Sequence, residues 1–191
     1  MDEFIRTFIA IEPDEKAKER LLSFLDKARK AVRGDISWTR KENLHFTLKF
    51  LGEIPKVKIT EIEHLIQTIS ERHSVFNIGI GGVGFFPDIR KPRIFWAGIK
   101  SGQDELMSLA QDIENDCEYL GFAREKREFK AHITIARIRD PRIKSDNTLL
   151  EKLSQEDICS FSADRIILYR SDLLPAGAKY TVLKEFLLKK V

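Results

Sequence analysis

The sequence predicts an α+β fold of antiparallel sheets and helices, in which a duplicated two-lobed arrangement would bring two motif strands face to face. Three observations predict it. The string His-x-Thr-x occurs twice, as His45-Phe46-Thr47-Leu48 and His132-Ile133-Thr134-Ile135, on opposite halves of a 191-residue chain. Each copy sits in a run alternating apolar and polar residues, the period of a strand with one buried face. Strands and helices succeed one another without a regular β-α-β rhythm, which favours antiparallel sheets over a doubly wound parallel one. No low-complexity tract or long Gly/Ser linker divides the chain, so residues 1–191 read as a single domain of two interleaved lobes.

Taken in order, Phe4 to Ile11 reads as a strand closed by Pro13, and a helix follows from about Asp14 to Val32. Its inner stripe is Ala17, Leu21, Leu25, Ala28 and Val32, at spacings of three and four. Strands are predicted at Ile36 to Thr39 and Leu44 to Leu51, then a helix at Val57 to Arg72 burying Ile59, Ile62, Ile66 and Ile69. Val75 to Gly84 and Ile94 to Ile99 read as strands around the turn-rich Phe86-Pro87-Asp88 and Lys91-Pro92. A third helix spans Asp104 to Leu120, with Leu106, Leu109, Ile113, Cys117 and Leu120 inward. The second motif strand runs from Phe129 to Ile138. A short helix near Leu149 to Leu153 and strands at Phe161 to Tyr169 and Tyr180 to Leu188 complete the chain.

Composition narrows the class of protein. Charged residues make up 33% and hydrophobic residues 42%, an ordinary globular balance with a net charge of only +3. The charge is uneven, because Arg124 to Lys144 holds eight Lys or Arg against three acidic residues and so brackets the second motif. A solvated loop and a phosphate-attracting patch both fit that excess. Cys117 and Cys159 are far apart with no Cys-x-x-Cys spacing, which argues against a zinc or redox pair. No signal peptide is evident, and no apolar stretch approaches the roughly 20 residues of a membrane span. A cytoplasmic location is the expectation.

The motifs carry the chemistry. Leu44, Phe46, Leu48 and Phe50 are expected on a core face, leaving His45, Thr47 and Lys49 on the other. Phe129, Ala131, Ile133 and Ile135 likewise leave Lys130, His132 and Thr134 together. Random placement of four His and eight Thr gives about 0.17 His-x-Thr strings in such a chain, so two in matching strand contexts stand out. An imidazole titrates near neutrality and so serves as either proton donor or acceptor, and a hydroxyl two residues along can donate to a phosphate oxygen. Two histidines alone supply too few ligands for a metal site, and no nucleophile elbow is present. The glycines at 79, 81, 82 and 84 open no helix and make no phosphate loop. His64 and His73 fall off the helical stripe and read as surface residues.

Further strings flank the motifs: Arg6-Thr7-Phe8-Ile9-Ala10-Ile11, Glu42-Asn43-Leu44 before the first, Lys91-Pro92-Arg93-Ile94-Phe95-Trp96, Leu168-Tyr169-Arg170-Ser171 and Tyr180-Thr181-Val182-Leu183. With them the chain resembles the 2H phosphoesterase superfamily, and within it the RNA 2′,3′-cyclic phosphodiesterases, also called 2′-5′ RNA ligases. The resemblance implies a two-lobed, pseudo-symmetric, duplicated α+β fold, with antiparallel sheets, helices on the outside and the histidines across a central cleft, and metal-independent hydrolysis of RNA 2′,3′-cyclic phosphate ends to 2′-phosphomonoesters. It implies His45 as proton donor to the departing 3′ oxygen and His132 as proton acceptor from water. Thr47, Thr134 and Arg137 would hold the phosphate. No cofactor, metal, membrane or obligate protein partner is implied; the partners are RNA ends or small cyclic-phosphate nucleotides. Ligation forming a 2′-5′ linkage would use the same site, and a noncatalytic RNA-end binding module would use the basic segment. Arg137 has the opposite strand parity to His132 and reaches the cleft only if the strand bends. Lys49 shares the parity of His45 and offers positive potential there. Tyr169 and Phe8 are candidates to stack on a nucleobase, with core packing the alternative for Phe8.

Overall fold

The alternating runs and helical stripes resolve, in a computed structural model describing residues 3–175 and 177–190, into eleven strands and four helices among the described residues. In chain order these are β1 (Phe4–Ile11), α1 (Glu15–Ala31), β2 (Val32–Arg33), β3 (Ile36–Trp38), β4 (Phe46–Pro55), α2 (Ile59–Arg72), β5 (Phe76–Phe86) and β6 (Ile94–Ser101). There follow α3 (Gln103–Tyr119), β7 (Ile133–Ile138), β8 (Lys144–Ser145), α4 (Asn147–Gln155), β9 (Asp157–Ala163), β10 (Arg165–Leu174) and β11 (Gly177–Leu187). Asp14 caps α1, accepting from the Ala17 amide at 2.7 Å, and Asp146 caps α4 through the Leu149 amide at 3.0 Å. No helix among the described residues is long and apolar enough to cross a membrane.

One sheet in the order β11-β10-β1-β4-β7-β6-β5-β9 carries the fold, with β3 added to β7 and a separate β2-β8 ribbon. All its described pairings are antiparallel, as the sequence predicts. The two motif strands, β4 and β7, are the central neighbours, and they meet at one register pair, Phe46 with Ile133. The sheet is thereby two halves joined at a narrow seam. β1-α1-β4-α2 is followed by β5 beside β6 in the second half, and β6-α3-β7-α4 is followed by β9 and then β10 beside β1 in the first. Each motif unit therefore closes in the other half.

The helices cover the face that carries Ile9, Ile11, Phe46, Ile133 and Ile135, and together they form the main core. Leu21, Leu25 and Ala28 of α1, Ile62, Ile66 and Ile69 of α2, and Leu106, Leu109, Ile113 and Cys117 of α3 are buried as their spacing predicts. A second, smaller cluster of Phe8, Ala10, Ile167 and Tyr169 lies apart from that core. Magnitudes show what holds the seam. A ladder hydrogen bond nets about 1 kcal/mol, whereas burying a Phe or Ile contributes ~1.5–3 kcal/mol each. Phe46 and Ile133, both fully buried, therefore anchor the seam from below.

Besides shifts of a few residues at strand ends, such as β4 at Phe46–Pro55 where Leu44 to Leu51 is expected, three differences from expectation matter. The strand predicted at Phe161 to Tyr169 is two, β9 and β10, parted at Asp164, because β9 pairs with β5 and β10 with β1 at opposite halves of the sheet. β7 begins at Ile133, after Phe129, and the two-residue β2 and β8 are too short to leave a periodic signal. The third difference concerns parity. Between β1 and β4 the register passes from Ile9 opposite Lys49 to Ala10 opposite Thr47, so Leu48 is an extra residue. A bulge of this kind turns the side chains that follow it to the other face, here as far as a second shift at Leu51, where the register passes from Phe8 opposite Phe50 to Thr7 opposite Gly52.

Lys49 and Phe50 therefore exchange the roles that strict alternation assigns. Lys49 is buried under the sheet, donating to Glu114 of α3 at 2.8 Å and to the Ala123 carbonyl at 3.1 Å. Phe50, expected in the core, is 60% exposed. Removing one partner of a buried ion pair leaves the other uncompensated, which costs about 3–5 kcal/mol. Lys49→Ala is expected to lower unfolding free energy by about 3 kcal/mol in urea denaturation, and Lys49→Ala with Glu114→Leu to recover part of it. A stable Lys49→Ala would contradict this placement.

Candidate active site

The seam sets the geometry. With Phe46 opposite Ile133 in antiparallel register, His45 lies level with Thr134 and Thr47 level with His132. All four side chains leave the sheet on the face opposite the main core, because Phe46 and Ile133 between them point into it. Each imidazole sits diagonally across the seam from the other, with a hydroxyl beside it. The structure thus brings together the four motif residues picked out from the sequence.

Both imidazoles are held in the same way. His45 Nδ1–H donates to the carbonyl of Asn43 at 2.8 Å, and His132 Nδ1–H donates to the carbonyl of Lys130 at 2.6 Å. A carbonyl only accepts, so Nδ1 carries the proton and the lone pair of the neutral ring is at Nε2. Asn43 is fixed in turn, its side-chain amide donating to the Ala178 carbonyl at 3.0 Å. The two rings differ in what surrounds them. His45 is packed by Phe8 at 4.9 Å between centroids, by the edge of Tyr180 at 5.2 Å and by Tyr169 at 6.2 Å. His132 meets Phe86 at 4.9 Å, nearly perpendicular, and Trp96 at 6.5 Å.

These surroundings disfavour the imidazolium. Burial pushes His45 down from 6.5 to about 4, helped by the positive charge of Arg137 and by His132, while its bond to Asn43 works the other way. His132 is lowered by burial and by Arg137, against its bond to Lys130. Without a ligand both rings are neutral at pH 7, and each needs an anion beside it to gain a proton readily.

Arg137 acts on both rings because of a second bulge. Phe95 pairs with Ala136 and Trp96 with Thr134, so Ile135 is the extra residue and both Ile135 and Ala136 are buried. Arg137 is thereby rotated onto the face of His132 and Thr134, the condition its parity required. The two bulges fall at equivalent places, three and four residues after each histidine. The fifth residue swings into the cleft in both halves: Arg137 in one, Phe50 in the other. Phe50 lies 5.9 Å from Phe8, which itself touches His45.

Other candidates move. Tyr169 is buried, stacked on Phe8 at 5.0 Å and donating its hydroxyl to Glu12 at 3.0 Å, so neither ring is open for stacking. Lys49 is on the opposite face and adds nothing to the cleft. Three of the eight basic residues of the segment Arg124 to Lys144 are paired with carboxylates, Arg124 with Glu118, Arg139 with Asp35 and Arg142 with Asp140. His64 is exposed as expected, but His73 is largely covered and bonds Asp112 at 2.9 Å. Burial pushes the Cys117 thiol up to about 12, as befits a core residue. Sequence reading does not place Phe86, Trp96 and Tyr180 beside the histidines, although each lies in a string that flanks the motifs (Phe86 in Phe85-Phe86-Pro87), and it places Phe50 in the core.

A split antiparallel sheet with an imidazole and a hydroxyl on each side of its seam is the architecture of a phosphoesterase of the two-histidine kind. Residues 11–96 and 98–180 match the LigT like Phosphoesterase family, and the chain belongs to that family. The RNA 2′,3′-cyclic phosphodiesterase of Thermotoga maritima is 37% identical over 182 residues, 95% of this chain and 94% of that one. The protein of the same name from Methanothermobacter thermautotrophicus is 30% identical over 183 residues, 95% of this chain and 98% of that one. Among solved structures, TT0787 of Thermus thermophilus superposes with a TM-score of 0.81 at 26% identity, covering 97% of this chain and 99% of that one. E. coli LigT complexed with 3′-AMP shares the fold, with a TM-score of 0.79 at 24% identity over 98% and 99% of the two chains.

The electrostatics are checked by following the imidazole resonances by NMR. His45 should titrate near pH 4 and His132 below 6.5, and Arg137→Gln should raise both midpoints, since a nearby cation is removed. Midpoints at or above 6.5 in the wild type, or no change in the variant, would contradict the arrangement.

Proposed function

We propose that this chain opens 2′,3′-cyclic phosphates at RNA ends to give 2′-phosphomonoesters, by general acid–base catalysis between His45 and His132 without a metal. The observation that carries the reading is the pair of imidazoles, each fixed through Nδ1 by a backbone carbonyl and set on opposite strands of one seam. In-line displacement at phosphorus needs a proton removed from the entering water on one side and a proton supplied to the leaving oxygen on the other. His132 Nε2 takes the water proton. His45 Nε2–H gives its proton to the departing 3′ oxygen, and the P–O2′ bond is kept.

The phosphate sits over the seam, where Thr47 and Thr134 donate to its non-bridging oxygens and Arg137 balances the charge that grows there. Its negative charge offsets the burial and the Arg137 repulsion that keep the free histidines neutral, so substrate binding itself raises the proton affinity of His45. The nucleoside belongs to the leaving oxygen and lies on the His45 side, where the exposed Phe50 offers a face for its base. Among the described residues no three or more His, Cys, Asp or Glu converge as a metal site.

His45→Ala and His132→Ala are each expected to lower kcat for 2′,3′-cyclic nucleotides by about 10²–10⁴-fold with the fold intact by circular dichroism, and EDTA to leave the wild type unchanged. Retained turnover in either variant would sink the mechanism. For kcat/KM, which reports the free enzyme, the active form has one histidine protonated and one neutral. Because both pKa values lie below 6.5, the bell should peak on the acid side of 6.5 and fall as pH rises. Phe50→Ala should raise KM about tenfold and spare kcat, the loss of one stacked base being worth ~1–3 kcal/mol. An unchanged KM would remove Phe50 from the site.

A further inference from the structure

The strand that precedes an RNA end is bonded through C4′ of the terminal ribose, next to the C3′ that carries the leaving oxygen. In the reading above that oxygen departs toward His45, so the strand leaves the cleft over the half that holds His45. One way out of that half is closed. Tyr180 and Tyr169 pack on Phe8 at 4.9 and 5.0 Å, Tyr169 is tied to Glu12, and Asn43 bridges to the Ala178 carbonyl of β11. The opposite way, along β1 and β4 past Phe50, is open.

That open strip alternates aromatic and basic side chains. Phe8 pairs with Phe50, Arg6 with Glu53 and Phe4 with Pro55. Phe4 and Arg6 share the face of Phe8, because Ile5, Thr7 and Ile9 between them are buried on the other. Phe50 is 60% exposed, Phe4 is 58% exposed, and Arg6 between them is exposed as well. Neither Phe4 nor Phe50 belongs to a core cluster, so packing gives no reason for two rings there. Phe4 lies four residues from Phe8, about 13 Å at the rise of a strand, which is beyond the single nucleoside that Phe50 receives.

The segment leading up to His132 forms the other bank. Lys49, beneath Phe50, donates to the Ala123 carbonyl at 3.1 Å, and Glu114 accepts from the Glu125 amide at 2.8 Å, which ties that segment to β4. Lys126 and Arg127 follow the tie directly and are exposed. Among the described residues no carboxylate comes within ion-pair distance of Arg6, Lys126 or Arg127. A single strand presents bases and phosphates in alternation, which aromatic and basic side chains in alternation complement.

We propose that this strip is a track for the single strand 5′ of the cyclic phosphate. Phe50 takes the terminal base, Arg6 the phosphate behind it and Phe4 the next base, while Lys126 and Arg127 face the outer phosphates. This rests on the proposed function and adds to it a preference for RNA chains over mononucleotides. Stacking tolerates any base and the charges contact only the backbone, so the track reads length and not sequence.

The test compares 2′,3′-cyclic AMP with a tri-adenylate ending in a 2′,3′-cyclic phosphate, using the full chain. Wild-type KM should be about a hundredfold lower for the trinucleotide, two added contacts each contributing about tenfold. Phe4→Ala should raise the trinucleotide KM about tenfold with kcat unchanged. The double variant Lys126→Glu with Arg127→Glu should do the same and also flatten the rise of that KM with salt. Both variants should keep KM and kcat for cyclic AMP within about twofold of the wild type. Equal KM for the two substrates in the wild type, an unchanged trinucleotide KM in either variant, or an equal rise for cyclic AMP overturns the track. Failure of the wild type to hydrolyse cyclic AMP would instead overturn the underlying reading.

Discussion

The molecule turns on a single constraint: two antiparallel strands, each carrying His-x-Thr, touch at Phe46 and Ile133 and are not continued as a ladder. A longer ladder would flatten the centre of the sheet, and no contact at all would leave the motifs unregistered. One buried pair fixes which hydroxyl faces which imidazole while leaving a groove above. The energy for that contact comes from below, from fully buried side chains under α1 and α3 rather than from backbone bonds between the strands. The crossing of β5 and β10 into opposite halves ties the two sides together, so that the seam is braced at a distance from itself.

On this frame, pseudo-symmetry is broken where chemistry needs it. The carbonyl lock on Nδ1 is the same in both halves, and the bulge after each motif falls at the same offset. What differs is the residue each bulge delivers and the cage around each ring. One half presents Arg137, suited to a phosphate, and the other presents Phe50, suited to a base. Around His45 three aromatic rings exclude water, and burial depresses it to about 4. In the proposed mechanism an acid of this kind is effective only when its substrate arrives as an anion, which couples protonation to binding.

Much of this was legible in the residues. Parity along Leu44–Leu48 and Ile133–Ile135 correctly separates core from cleft, because within those stretches the pleat is regular and one face is fully buried. It fails at Lys49 and Phe50 for a definite reason: a bulge inserts a residue without any Gly or Pro to announce it, Leu48 and Ile135 being as apolar as their neighbours. For Arg137 the need for a bend was readable, but its presence was a property of pairing between distant strands. The same holds for Tyr169, whose bond to Glu12 joins residues far apart in the chain. The fold class followed from local pattern and the element order; the cages around the histidines required the tertiary structure.

The assignment of opposite roles to two similarly held histidines is the claim on which the account depends, and leaving-group substitution tests it most directly. A substrate with sulfur in place of the bridging 3′ oxygen expels a thiolate that needs no proton. If His45 is the acid and His132 the base, His45→Ala should regain most of the wild-type rate on this substrate while His132→Ala stays inactive. Rescue of His132→Ala instead, or of neither variant, would contradict the account.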